Sequence, residues 1–321
     1  MTSLIETNPR RATMPAAAGA ATAMFMVGTL AGVSGLIAGY PLYGGQALRY
    51  ALAAVILLAV ARARGPVRQA RLGPSAWGLL CGLSLTGLVI FNVCVIEATR
   101  ASSPALAGTV LATVPLALAL LGPWVSGPGP SRPSPRVMLA ALIVVGGALL
   151  ATGFGSGNLA GLMWSLGALA CEVCFSLLAL PLLPSLGPIR VSAYSTALAV
   201  PFLLVIGFAV DGHAMIRTPT VPEALGLGYL SLIVTTVAFF LWYDALPRLG
   251  ADRAGLFAGM IPVGAISTSM ILGLGLPSGA DLAGAAVVIA GISLGLRTTG
   301  SNARRGSRAA RSRAARTPAR P

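Results

Sequence analysis

The chain is 321 residues long with a formal net charge of +14, and it is 56% hydrophobic and only 9% charged, with a mean hydropathy of +0.85. Soluble domains carry about a quarter of their residues as charges, so this composition excludes a soluble globular enzyme or binding module and points to an integral membrane protein. Lysine is absent, and the placement of the arginines gives the positive charge a membrane meaning without any nucleic-acid partner.

Residues 1–14 read as a short cytoplasmic N-terminus. A helix needs about 17 to 25 apolar residues to cross the hydrocarbon, and segments of that kind are predicted near 15–37, 44–61, 75–97, 104–124, 137–153, 158–181, 191–210, 223–246, 254–274 and 280–297. They are continuously apolar rather than alternating with period two, which favours helices over a β-barrel. The first is longer than the apolar core of a signal peptide and is expected to be retained. With the N-terminus in the cytoplasm, every arginine outside a span falls on the cytoplasmic side except Arg100 and Arg217, and only Arg49 falls within a span. The positive-inside rule therefore supports ten spans with both termini cytoplasmic, in the inner (plasma) membrane.

Residues 15–153 thus form a first five-helix unit and 158–297 a second, joined on the outer side by a Gly-rich link at 153–158. Residues 298–321, made of Arg, Ala, Ser, Thr, Gly, Asn and Pro, cannot bury a core and are expected to form a disordered basic cytoplasmic tail. The tail reads either as a solvated anchor or as a contact for anionic lipid head groups. The short loops leave no room for a soluble domain, so function must lie between the helices.

Ionisable groups are costly in hydrocarbon, which makes the few that remain the candidates for function. In chain order these are Arg49 in the second span, Glu97 at the end of the third, Glu172 in the sixth and Asp244 at the end of the eighth. Arg49 and Glu97 approach the same side, so an ion pair between them could close an outer gate. Asp244 is the corresponding inner group. Ser165, Glu172 and Ser176, spaced by seven and four residues, share one helical face. That stripe is a candidate solute or proton site, against the plainer reading of a structural carboxyl. Asn92, Trp242 and Tyr243 add polar and aromatic surface that can line a solute site or simply pack. Pro115 and Pro262 interrupt the fourth and ninth spans, as fixed bends or as hinges. Cys81, Cys94 and the Cys171-x-x-Cys174 pair read as small apolar residues, and the only histidine, His213, lies in an outer loop, so no metal site or cofactor is expected. No P-loop, G-x-S-x-G or H-E-x-x-H motif occurs, so no catalytic residues are assigned and the chain is not expected to be an enzyme.

The two units resemble each other. Leu83-Ser84-Leu85, Glu97-Ala98, Ala107-Gly108 and Pro115 return at a constant offset of 147 residues as Leu230-Ser231-Leu232, Asp244-Ala245, Ala254-Gly255 and Pro262. An odd number of spans per unit inverts the second copy in the membrane. The fold expected is an all-α integral membrane protein of ten transmembrane helices in two inverted five-helix repeats, an arrangement associated with alternating access.

Ala47-Leu48-Arg49-Tyr50 opening the second span, the run from Trp242 to Ala251 closing the eighth, and the matched Pro115 and Pro262 resemble the drug/metabolite transporter superfamily, EamA type, over residues 15–297. Val27-Gly28 stands where Trp-Gly is often found in such proteins. The resemblance implies a central cavity between two five-helix bundles and export of a small metabolite or amino-acid-like solute by a secondary transporter. Proton coupling, uniport and lipid flipping stay open at this level, as do a membrane scaffold or receptor and a homodimer. The partners expected are a small-molecule substrate and the lipid bilayer.

Overall fold

The computed structural model describes residues 9–65, 72–101, 104–125, 133–153, 158–273 and 276–296. Among them every regular element is helical. In chain order they are α1 (Pro9–Val33), α2 (Leu42–Ala63), α3 (74–101), α4 (104–125), α5 (Pro135–Thr152), α6 (Leu159–Ala179), α7 (Leu183–Asp211), α8 (Val221–Leu249), α9 (Ala251–Ile271) and α10 (Gly279–Leu296). Eight are long and apolar enough to cross a membrane, while α1 and α5 carry shorter apolar stretches, Met14–Leu30 and Pro135–Ala151. The protein is a multi-pass, all-α membrane protein.

Helix ends follow their local chemistry. Asn158 caps α6 by accepting from the Gly161 N–H at 2.8 Å, and its amide donates to the Ala101 carbonyl at 2.8 Å, tying the start of α6 to the end of α3. Thr220 and Glu223 form a capping box at the start of α8, with Pro222 in the first turn. Gly250 (φ 82°) turns the chain from α8 into α9, and Gly187 (φ 70°) breaks α7 before Pro188 restarts it, both in a left-handed region that disfavours a side chain. Two expected boundaries shift: the first helix begins at Pro9 and gives way to a 3₁₀ turn at Ser34–Ile37, and the seventh begins at Leu183. The tail at 298–321, residues 1–8 of the N-terminus and 154–157 of the link lie outside the described residues.

Two helices depart from α geometry at matching places. α3 is π-helical over Leu85–Ile90 and α8 over Leu230–Val237, which overlap under the 147-residue offset. Hydroxyls bond back to the main chain there, Thr86 Oγ1 to the Gly82 carbonyl at 2.7 Å and Thr236 Oγ1 to the Ser231 carbonyl five residues earlier at 2.9 Å. α4 and α9 are irregular at corresponding positions too, at residues 112–113 and at the 3₁₀ segment Gly255–Gly259. Pro115 and Pro262 lie in the first turn of the α-segments that follow. The interruption therefore lies just before each proline, in the first-turn position where a missing N–H costs no helical bond.

Several helix contacts close through glycine, as expected where lipid supplies no hydrophobic drive between helices. A Cβ on Gly28 of α1 would overlap the Ile261 carbonyl of α9, and one on Gly264 the Phe25 carbonyl. Gly147 of α5 and Gly284 of α10 press backbone on backbone in the same way. α2 runs antiparallel to α7: Gly44 abuts Met215 near one end, and Arg190 donates to the Gly65 carbonyl at the other. Between these two pairs, α1 packs on α8 and α9, while α6 packs on α3 and α4. Exposed apolar side chains such as Leu52, Val55, Leu139, Val205 and Ile289 cover the outside, where lipid is the solvent.

Candidate functional site

α6 reaches α8 through Phe175 and Glu172. Ser165 and Ser176 are buried and Glu172 is half-buried between them. Ser165 is satisfied inside its own helix, donating to the Gly161 carbonyl at 2.7 Å. Phe175 stacks at 5.2 Å from Phe239 and 5.3 Å from Tyr243. Its ring wedges against Gly87 in the π-segment of α3, where a Cβ would collide with it. Tyr243 is fully buried, and Glu172 is within electrostatic reach of it. The Tyr243 hydroxyl, the Trp242 indole N–H and the Ser176 hydroxyl are enclosed and find no hydrogen-bond partner among the described residues. Buried polar atoms are almost always paired in a finished core. These three polar atoms on α6 and α8 are thus left unsatisfied inside the bundle.

Asn92 belongs to a second polar cluster, on the α2 side. Its amide donates to the Leu88 carbonyl at 2.6 Å and to the Tyr50 hydroxyl at 3.4 Å. The neighbouring Arg49, 5% exposed, donates from Nε to Thr235 Oγ1 at 2.7 Å and from Nη1 to Gln46 Oε1 at 3.3 Å, and lies 5.2 Å from the centre of the Tyr50 ring. Consecutive residues of α2 thus reach both π-helical helices: Arg49 meets the π-segment of α8, and Tyr50 meets Asn92 just past that of α3.

The gating candidates adopt local pairs. Glu97 binds Arg100 at 3.0 Å and Asp244 binds Arg248 at 2.7 Å, each carboxylate 33% exposed and each partner one turn further along the same helix. Arg49 and Glu97 are not paired with each other in this conformation. Glu223, in the first turn of α8, is buried. Arg217 Nη1 holds its Oε2 at 2.9 Å and Nη2 reaches Oε1, while Nη2 also donates to the Gly39 carbonyl at 3.0 Å. The Arg217 guanidinium covers the Tyr40 ring at 4.9 Å, and the Tyr40 hydroxyl donates to the Arg217 carbonyl at 2.6 Å. This latch joins the α1–α2 and α7–α8 connections. Thr220-x-x-Glu223 carries the capping-box spacing, the one signal in the sequence that could have revealed it.

α4 and α9 differ where the repeat would make them alike. Pro115, Leu118, Ala119 and Gly122 of α4 are buried, and Gly255 at the start of α9 is pressed so close to Leu118 that a Cβ would stand 2.7 Å from its Cβ. Their counterparts Pro262, Ala265, Ile266 and Ser269 line a cavity of about 290 Å³ with Ala151 and Asp281. Gly108, counterpart of Gly255, has nothing within 4 Å of its Cβ position. The molecule is closed where α4 ends and α9 begins, and open where α9 ends and α4 begins.

The cysteines are free thiols, Cys94 lying in hydrogen-bond contact with Cys171 across the α3–α6 interface. No group of three or more potential metal ligands occurs among the described residues.

Residues 158–297 match the EamA-like transporter family. The chain is 25% identical over 260 residues to the uncharacterized transporter YetK of Bacillus subtilis (strain 168), covering 78% of each protein. A solved crystal structure shares the fold at a TM-score of 0.74 and 19% identity, over 87% of this chain and 96% of that one.

Proposed function

We propose, from the match of residues 158–297 to the EamA-like transporter family and the likeness to a Bacillus subtilis transporter, that the chain is an EamA-type secondary active exporter of a small metabolite or amino-acid-like solute, working by alternating access and coupled to protons through Glu172. In this reading α1 and α5 cross the membrane as well, giving ten spans in two inverted repeats over 15–153 and 158–297, with both termini in the cytoplasm of an inner-membrane protein. The antiparallel packing of α2 on α7 and of α5 on α10 supports inversion, because counterparts related by a two-fold axis in the membrane plane must meet antiparallel. Transport rather than catalysis is the activity, and the tail beyond 298 attracts anionic lipid.

One observation carries the mechanism: the buried face of α4 and the cavity-lining face of its counterpart α9. Two copies of one element held in unlike environments are what a protein captured in one of two exchangeable states presents. With the N-terminus cytoplasmic, the cavity faces outward and the α4–α9 contact at Gly122, Leu118 and Gly255 closes the inner side. Exchange of the two environments turns the path around. The Glu172, Tyr243, Trp242 and Ser176 cluster is the solute and proton site within it.

The test uses single cysteines at the counterpart positions Ile266→Cys and Ala119→Cys in a background lacking Cys81, Cys94, Cys171 and Cys174. A membrane-impermeant thiol reagent applied outside should label position 266 and spare position 119, and an imposed outward solute gradient should lower outside labelling of 266 while exposing 119 to the same reagent applied from the cytoplasmic side. Labelling of both positions regardless of gradient would sink alternating access.

A further inference from the structure

Arg49 has five N–H donors, and two are used, on Thr235 and Gln46. Its remaining donors, one on Nη1 and both on Nη2, find no acceptor among the described residues, although the side chain is 5% exposed. Each neighbour it touches is neutral: a hydroxyl, an amide and the Tyr50 ring. The ion pairs among the described residues join Glu97, Glu223 and Asp244 to other arginines, and no carboxylate approaches Arg49 within 4.0 Å. A buried charge without a counter-charge is among the most expensive features a membrane helix can carry. The counterpart position in α7 holds Thr196, fully buried and bonded to the carbonyls of its own helix, so the cation is no requirement of the repeat.

We propose that Arg49 is an anion-recognition site in the transport path, binding a carboxylate of the solute end-on through Nη1 and Nη2, with Thr235 and Gln46 fixing the plane of the guanidinium. This rests on the transporter reading. The chemistry selects a monoanion: one guanidinium balances one carboxylate, whereas a phosphate dianion would leave a surplus buried charge with no second arginine to meet it. Thr235 and Tyr243 are eight residues apart on α8, about 12 Å along a helix axis, so the Arg49 site and the Glu172 site are separate stations. A solute whose two charges are one carbon apart occupies them in turn.

The experiment follows thermal unfolding of the full chain in lipid nanodiscs with acetate, chloride or inorganic phosphate at equal ionic strength, for wild type, R49Q, R49K and T235V. Acetate should raise the midpoint more than the other two. R49Q should raise the half-saturating acetate concentration at least about tenfold, the scale of one charged hydrogen bond, while R49K, which keeps the charge but loses the fork, and T235V, which keeps the guanidinium but loosens its plane, should raise it by less. T235V separates ligand binding from mere structure: a purely structural Arg49 predicts lowered midpoints in both R49Q and T235V with the acetate response intact in each. That outcome, an equal response to all three anions, or a larger response to phosphate or chloride would overturn the proposal. A solute found by comparing metabolites outside cells with and without the protein, then exchanged across proteoliposomes equally well by R49Q, would remove the site and leave transport standing. Arg49-dependent acetate binding in a protein that moves no solute would do the reverse.

Discussion

At the scale of single residues, a charge at the bilayer centre costs roughly 2.5 to 3.5 kcal/mol on insertion scales, and the protein treats its charges in two ways. Glu97 and Asp244 are neutralised by an arginine one turn away and remain partly exposed, so their replacement should alter folding yield little. Glu172 has no ion-pair partner among the described residues. Glu172→Gln in proteoliposomes with an imposed pH gradient should leave any remaining solute movement insensitive to the gradient, and full retention of that sensitivity would remove the proton role. Tyr243→Phe deletes a buried hydroxyl that has no partner, so unfolding midpoints should stay level or rise, by an amount up to about 1–3 kcal/mol in stability. Solute affinity measured by counterflow should fall in the same variant. The Glu172 stripe was readable in the sequence because seven-and-four spacing fixes one face of any regular helix. The partners of Arg49 were not, since Thr235 is 186 residues away and lies in a π-segment that rotates its side chains off the regular helical register.

At the scale of elements, the sequence revealed every apolar helix but not their irregular turns. Prolines pointed to bends at 115 and 262, whereas the irregular turns of α4 and α9 lie at residues 112–113 and 255–259, just before the prolines. The π-segments left no mark in hydropathy because Leu, Val, Ile and Thr satisfy either geometry. Glycine contacts divide into two kinds with opposite expectations. Gly28→Leu would drive α1 from the α9 backbone and should sharply reduce the folded, monodisperse fraction on size-exclusion chromatography, overpacking of this kind costing about 1–3 kcal/mol or more. Gly108→Leu meets open space, so the protein should fold normally. In the proposed cycle it should nonetheless stop transport by preventing α4 from seating on α9, and wild-type rates in this variant would argue that the two helices never exchange environments.

At the scale of the whole molecule, deletion of residues 301–321 should change the amount or orientation of protein in the membrane while leaving transport per inserted molecule unaltered, as read by surface labelling beside a flux assay. Composition and arginine placement made the membrane class legible, because lipid tolerates so few alternatives to the apolar helix. Which helices touch was not legible, since glycine-mediated contacts depend on shape and not on hydrophobic pattern. The first helix of each half packs on the third and fourth helices of the other, α1 on α8 and α9, α6 on α3 and α4. In the proposed ten-span arrangement, an emerging chain inserts α1 long before its partners exist, so α1 waits in lipid with Gly28 and its neighbouring small residues bare until α8 and α9 have left the ribosome. Biogenesis is therefore a late, all-at-once closure, and an interrupted synthesis leaves a first half whose opening helix has nothing to grip and is exposed to membrane quality control.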